Sequence, residues 1–342
     1  MDQNMVVDTR TVIRVLGEGA YGPIELIRDE VTGKLITSQR IIKMRVKRKD
    51  FAWLLEFPSL IGDHSNLVEI IGTDYEEGGL RWIQDYFRFG NLVDYIPANC
   101  GLDENRAKVS LNQVSSAIEF IHNRSLVHGD IRAENVLVCD PEMKRVKLSG
   151  FCFTRKEGHV TTKNCDNIPY MPPEVAQKLP IEGFAAHRSQ DCWSFGILIF
   201  CMLSGCFPWM EADKVTNKDY QKYHQWHKHH TIHLPSSWAC FSNKLIKLLR
   251  KLIHPKPSKR ASVRTLTKYM KYSWMRKEDD IDIIEDFRSS GLTGDDGTLP
   301  SSESIADLSA KLESLGVCTN GTRQWRKVRT ELWVSANSEL DL

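Results

Sequence analysis

No stretch of this 342-residue chain is apolar for long enough to cross a bilayer. The longest such run, Phe195 to Leu203, holds nine residues, against the roughly 20 that a spanning helix needs. It reads as a buried helix, and no membrane association is expected. Net charge is almost absent as well. With 46 Lys and Arg against 44 Asp and Glu, the formal charge is +2, so no bulk electrostatic attraction to nucleic acid arises. The nine cysteines show neither CxxC pairs nor framework spacing, and with Met1-Asp2-Gln3 at the start no secretory leader is expected. Reduced thiols in a cytoplasmic protein are the expectation, and the sequon Asn320-Gly-Thr then carries little meaning. Only one PxxP occurs, Pro169 to Pro172, which is thin support for an SH3 ligand.

What is present centres on His128 to Cys152. A turn holding Asp130 leads into the β-branched run Val136-Leu-Val138, a Pro-bearing turn, and a second strand-like run that ends in Ser149-Gly150-Phe151. Two short strands joined by a turn make a hairpin that sets Asp130 and Asn135 near the end of the second strand. Upstream, Gly17-Glu-Gly19-Ala-Tyr-Gly22-Pro-Ile24 lies between two strand-like runs. That context predicts a glycine hairpin and not a strand-to-helix dinucleotide turn. Residues 104–123 carry Val109, Val114, Ile118 and Ile121 at mostly helical steps. Pro58 is expected to stop a helix begun near Phe51. Residues 1–9 read as a loose start. Residues 276–342 read as an acidic, then Ser/Gly/Thr-rich tail, in which a capping-box start predicts a short helix over 305–315. The histidine-rich Tyr223 to His233 lacks cysteines and reads as fold, not as a zinc site. The basic run Arg45 to Lys49 reads as a solvated loop.

The order His128-x-Asp130, with Asn135 five residues after the aspartate, resembles the catalytic loop of protein kinases. Further counterparts follow in order: the glycine hairpin, Arg40-Ile-Ile-Lys43, Pro172-Pro-Glu174, Asp191-Cys-Trp-Ser-Phe-Gly196, Cys206-Phe-Pro-Trp209 and Arg260. Seven features in sequence over 10–275 are too many for chance. The runs LVHGDIRAENVLV, RVKLSGF, NIPYMPPEV and LIFCMLSGCFPW are similar to those of the small SH3-domain-binding serine/threonine kinases. The resemblance implies an α+β, bilobal fold, with a β-rich small lobe over about 10–87 and a mainly helical large lobe over about 88–275. It also implies ATP between the lobes. Gly17, Gly19, Gly22 and Ile24 would cover the nucleotide, and Lys43 would grip the phosphates with Glu56 as its ion-pair partner. Asp85, Phe87 and Leu137 would face adenine with Gln84 as gatekeeper, Ile41 would tighten that pocket, Asp130 would be the base, and Asn135 a metal ligand. Glu174 would pair with Arg260, and Asp191 would brace the catalytic loop.

Several positions depart from that pattern. Gly150 stands where the family has the magnesium-binding aspartate of Asp-Phe-Gly, and it has no ligand atom. A hard dication wants several oxygens, so Asn135 alone would hold magnesium poorly. Asp166 is the one nearby acid that would be a candidate to stand in. Cys152 replaces the glycine of that motif, Asn167 the threonine that bonds the catalytic aspartate, and Gly129 the arginine that receives an activation-segment phosphate. Without that arginine, a phosphate on Thr161 or Thr162 has lost its usual anchor. Arg132 replaces a lysine, a mild change. The expectation is a kinase-fold regulator or scaffold with an ATP pocket and weak or absent phosphotransfer. Its protein partners would use the large lobe or the tail. The rival is an active serine/threonine kinase with unusual metal coordination, and a third reading is an interaction protein with an empty cleft.

Overall fold

The structure, a computed structural model, describes residues 10–276 except 77, 164 and 230–233. The expected loose start, the helix over 305–315 and the tail around it lie outside the described residues, as does the Asp166 side chain.

Two bodies meet at a cleft. The first is a five-stranded antiparallel sheet in the order β1-β2-β3-β5-β4. Its strands are β1 (Arg10–Gly19), β2 (Gly22–Asp29), β3 (Leu35–Ile42), β4 (Ile70–Glu76) and β5 (Gly79–Asp85), with helix α1 (Arg48–Ile61) between β3 and β4. The sheet alternates as a one-sided sheet should: Ile41, Leu80 and Trp82 turn inward and meet Leu54 and Phe57 of α1. Helix α1 does not stop before Pro58 as expected but runs through it to Ile61. Proline removes one amide donor and crowds the preceding turn. Here it sits in the last turn, where little helix remains to be disturbed, and the Ser59 hydroxyl bonds the Glu56 carbonyl at 2.7 Å.

The second body is mainly helical: α2 (Glu104–His122), β6 (Leu126–Val127), β7 (Val136–Val138), β8 (Val146–Leu148), β9 (Arg155–Lys156), β10 (Val160–Thr162), α3 (Pro173–Ala176), β11 (Gly183–Ala185), α4 (Arg188–Ser204), α5 (Lys218–His229) and α6 (Asn243–Leu252). Apolar on every side, α4 is buried throughout its C-terminal half, as a helix without a polar face must be. Leu245, Leu248, Leu249 and Leu252 of α6 repeat at helical spacing and are all buried. In α2 the buried stripe is Ala107, Leu111, Val114, Ile118 and Ile121. Val109 is exposed, a correction to the expected face, because five residues before Val114 is a step to the other side of a helix. The α+β, two-lobed arrangement is the expected one. No described helix is long and apolar enough to cross a membrane. The seven described cysteines are free, and no described group of His, Cys, Asp and Glu has the makings of a metal site.

Candidate nucleotide cleft

The catalytic-loop residues converge as expected. The β7–β8 hairpin pairs Val136 with Leu148, which sets Asn135 beside Gly150. The carboxylate of Asp130 accepts Nδ2 of Asn167 on Oδ1 at 2.9 Å and Nδ2 of Asn135 on Oδ2 at 2.7 Å. Asn167 therefore supplies the orienting donor in place of a threonine. Beneath the loop, the buried Asp191 accepts the amides of His128 and Gly129 at 2.8 and 2.9 Å and lies 2.9 Å from His122 Nε2. Burial alone would raise the Asp191 pKa, but His122 and these amides hold it below the ordinary value. Burial pushes the His128 pKa down. The neutral ring donates from Nε2 to the Ser149 carbonyl at 2.9 Å and accepts the Asp130 amide on Nδ1. His128, Phe151, Phe57 and Trp82 form a continuous aromatic column across the lobes, with ring centroids 5.6 to 5.8 Å apart. Glu174 and Arg260 make a two-pronged pair at 2.7 and 2.6 Å.

The small-lobe side corrects the expectations. Gly17, Gly19 and Gly22 lie on a β-hairpin, with Gly19 opposite Gly22. Lys43, however, lies beyond the end of β3 in a short 3-10 turn and is exposed, its ammonium 5.8 Å from the Phe51 ring. The β3 residue that enters the cleft is Gln39. It pairs across the sheet with Ile24 and is 8% exposed. Its Nε2 lies where a Cβ on Gly19 would meet it at 3.1 Å, and it reaches Cys152 Sγ at 3.0 Å. A neutral amide thus occupies the ground beneath the glycine hairpin. Glu56 is also misplaced by the sequence reading. It is exposed on the outer face of α1, and no described ion pair joins it to Lys43. Since Phe57 belongs to the aromatic column, the helix position one turn earlier on that face is Trp53, whose Nε1 donates to the Thr154 carbonyl at 2.6 Å. Ile41, expected at the adenine pocket, is packed in the small-lobe core. Its place on the cleft side of β3 goes to Thr37, two residues from Gln39, whose hydroxyl is shared between the Gln84 and Asp85 carbonyls at 3.3 and 3.1 Å. Gln84 is buried, Phe87 and Leu137 are half-buried, and the Asp85 carboxylate pairs with Lys34 at 2.7 Å.

The register that reveals Gln39 has a sequence signal. Asp29 to Lys34 contains Thr32-Gly33, a turn sequence, and the Gly33 amide closes it on the Asp29 carbonyl. Counting equally from either side of that turn sets Ile24 against Gln39, four residues short of Lys43. The role of Trp53, by contrast, has no local signature.

The residues present do not fit magnesium triphosphate. Gly150 adopts a left-handed conformation, φ 85° and ψ 44°, and contributes no donor atom. A Cβ there would come within 2.4 Å of the Asn135 amide, which is committed to Asp130. Among the described residues, position 150 lacks the carboxylate a hard cation prefers, and Gln39 stands where phosphate charge calls for a cation. Burial raises the Cys152 thiol to about 12, so it brings no negative charge to replace the missing carboxylate.

Comparison with known proteins agrees with this architecture. The family described as protein kinase domain matches residues 10–275. Serine/threonine-protein kinase SBK1 of Danio rerio is 34% identical over 265 residues, 77% of this chain and 69% of the relative. Serine/threonine-protein kinase SBK2 of Mus musculus is 29% identical over 296 residues, 85% and 82% of the two chains. Serine/threonine-protein kinase meng-po of Drosophila melanogaster is 29% identical over 270 residues, 78% of this chain and 59% of that protein. The chain belongs to the protein kinase family, and within it to the group that includes the SBK serine/threonine kinases.

Proposed function

We propose that this chain is a pseudokinase, a cytoplasmic regulator or scaffold that uses the kinase fold without efficient phosphotransfer. The observation that carries the reading is the paired loss on both sides of the cleft: Gly150 in place of the metal-binding carboxylate, and Gln39 in place of the phosphate-gripping cation. Phosphoryl transfer depends on positioning and charge neutralisation, so each loss alone costs orders of magnitude in rate. Protein partners would bind the large lobe or the C-terminal tail. The test is transfer from γ-labelled ATP with magnesium or manganese, wild type beside Asp130→Asn. Equal labelling from the two supports the proposal. Wild-type labelling well above the Asp130→Asn blank overturns it.

ATP binding is the finer question. Gln39, the Cys152 thiol and the Thr37 hydroxyl bring neutral groups to the β3 side of the cleft, where phosphates would need a cation. The expected result is no magnesium-dependent thermal stabilisation at millimolar ATP. A ligand at 100 times its Kd would contribute about 2.7 kcal/mol, which a melting curve would register easily. The rival reading, an active serine/threonine kinase, is favoured by one observation: Asp130 is oriented by two amides as a working base would be.

A further inference from the structure

Three parts of the fold meet at one buried arginine. Arg155, at the start of β9, is 1% exposed. Its Nη1 donates to the Cys152 and Thr154 carbonyls at 2.9 and 2.8 Å. Its Nε stands 3.4 Å from Oδ1 of Asp50 on α1, an ion pair without an aligned hydrogen bond. The same guanidinium lies beside the Tyr21 phenol at the tip of the glycine hairpin, opposing the rise in its pKa that burial causes, and the Tyr21 ring lies 5.8 Å from Phe153. A guanidinium is costly to bury unless it is paired and hydrogen-bonded, and here its partners come from the hairpin, from α1 and from the segment after β8.

Neighbouring contacts run in the same direction. Trp53 donates to the Thr154 carbonyl, Lys49 Nζ to the Val160 carbonyl at 3.3 Å, and Gln39 to Cys152 Sγ. His159 Nε2 lies 3.6 Å from Asp50 Oδ1. In many kinases these parts are brought together by ligands from outside: the nucleotide bridges the lobes, and a phosphate orders the activation segment through arginines. Gly129 has no side chain to receive such a phosphate, and a Cβ there would lie 2.7 Å from the Phe153 carbonyl oxygen.

We infer that Arg155 is a built-in clamp, holding the glycine hairpin, α1 and residues 151–162 closed with neither nucleotide nor phosphate bound. The closed state is then the resting state of the chain. This holds whether or not the cleft transfers phosphate, so its test does not read activity.

The experiment is amide hydrogen exchange on the full chain after phosphatase treatment, without nucleotide and then with ATP. Residues 17–22, 48–61 and 155–162 are expected to be protected from the start, with ATP changing their exchange less than about twofold. Arg155→Met is expected to speed exchange in all three regions together by about tenfold or more, leaving α4 and α6 unchanged, as one cooperative unit would. Protection of the hairpin that appears only with ATP or phosphorylation overturns the inference. So does an Arg155→Met chain that loosens only its own strand. If Arg155→Met does not fold, Asp50→Asn and Tyr21→Ala decide. Each should loosen both the hairpin and residues 155–162, and a change confined to the substituted residue's own element overturns the clamp.

Discussion

Asn135 carries its amide to Asp130, 2.7 Å from both the backbone carbonyl and Oδ2, and fills the space into which a side chain at position 150 would project. The left-handed conformation of Gly150 is not itself an obstacle, because aspartate is among the residues that tolerate it. Gly150→Asp must instead displace the Asn135 amide, and it would still face Gln39 where a cation is needed. The single substitution is therefore expected to leave phosphotransfer near the Asp130→Asn blank. Gln39→Lys with Gly150→Asp should exceed either single variant by about 100-fold or more, since each supplies charge complementarity at the reacting phosphates. Measuring label incorporation for the four proteins decides it. A Gly150→Asp enzyme as active as the double variant would show that Gln39 plays no part.

Helix α1 and the strand before it show how a motif can be read in the wrong register. Arg40-Ile-Ile-Lys43 has the right composition, yet β3 ends at Ile42 and hands Lys43 to solvent. The turn at Thr32-Gly33 carried the better information, because strand pairing propagates from it residue by residue. Glu56 fails for a similar reason: a helix face is set by which residues must be buried, and Leu54, Phe57 and Ile61 leave Glu56 outside. Where two elements are joined by an unambiguous pair, the sequence reading succeeds. Glu174, in α3, meets Arg260 after α6, whose side chain is fully buried. Glu174→Ala leaves that charge uncompensated and should cost about 3 kcal/mol of stability. Urea unfolding would measure it, and a loss below about 0.5 kcal/mol, the range of ordinary surface substitutions, would mean that the carbonyls of Ser189 and His254 suffice.

The two lobes together set the response to acid. His64, His128, His224 and His254 all have pKa values below the ordinary 6.5, with burial the largest cause in each. Below about pH 6.5 the unfolded chain takes up protons that the folded chain refuses, so stability is full above that point and declines beneath it. Asp191, lowered below its ordinary 3.8, contributes stability that is present above that value and lost only as pH falls through its folded pKa. The melting temperature should therefore fall between pH 7.5 and 5.5 through the histidines alone. A flat or rising melting temperature over that interval would contradict the burial of these rings.

The fold was legible through ordered motifs, whose resemblance to protein kinases implied two lobes, while periodicity marked which stretches must be buried. The catalytic loop was legible for the same reason, since Asp130, Asn135 and Gly150 are joined by a short hairpin that local pairing closes. Position across the cleft was not. Whether Gln39 or Lys43 faces the glycine hairpin, and whether Glu56 or Trp53 faces the column, depends on register and helix rotation. Those are decided by packing between elements far apart in the chain. Arg155 is the clearest case: nothing around it in sequence marks it out, and only tertiary structure brings Tyr21, Asp50 and the Cys152 carbonyl to one guanidinium.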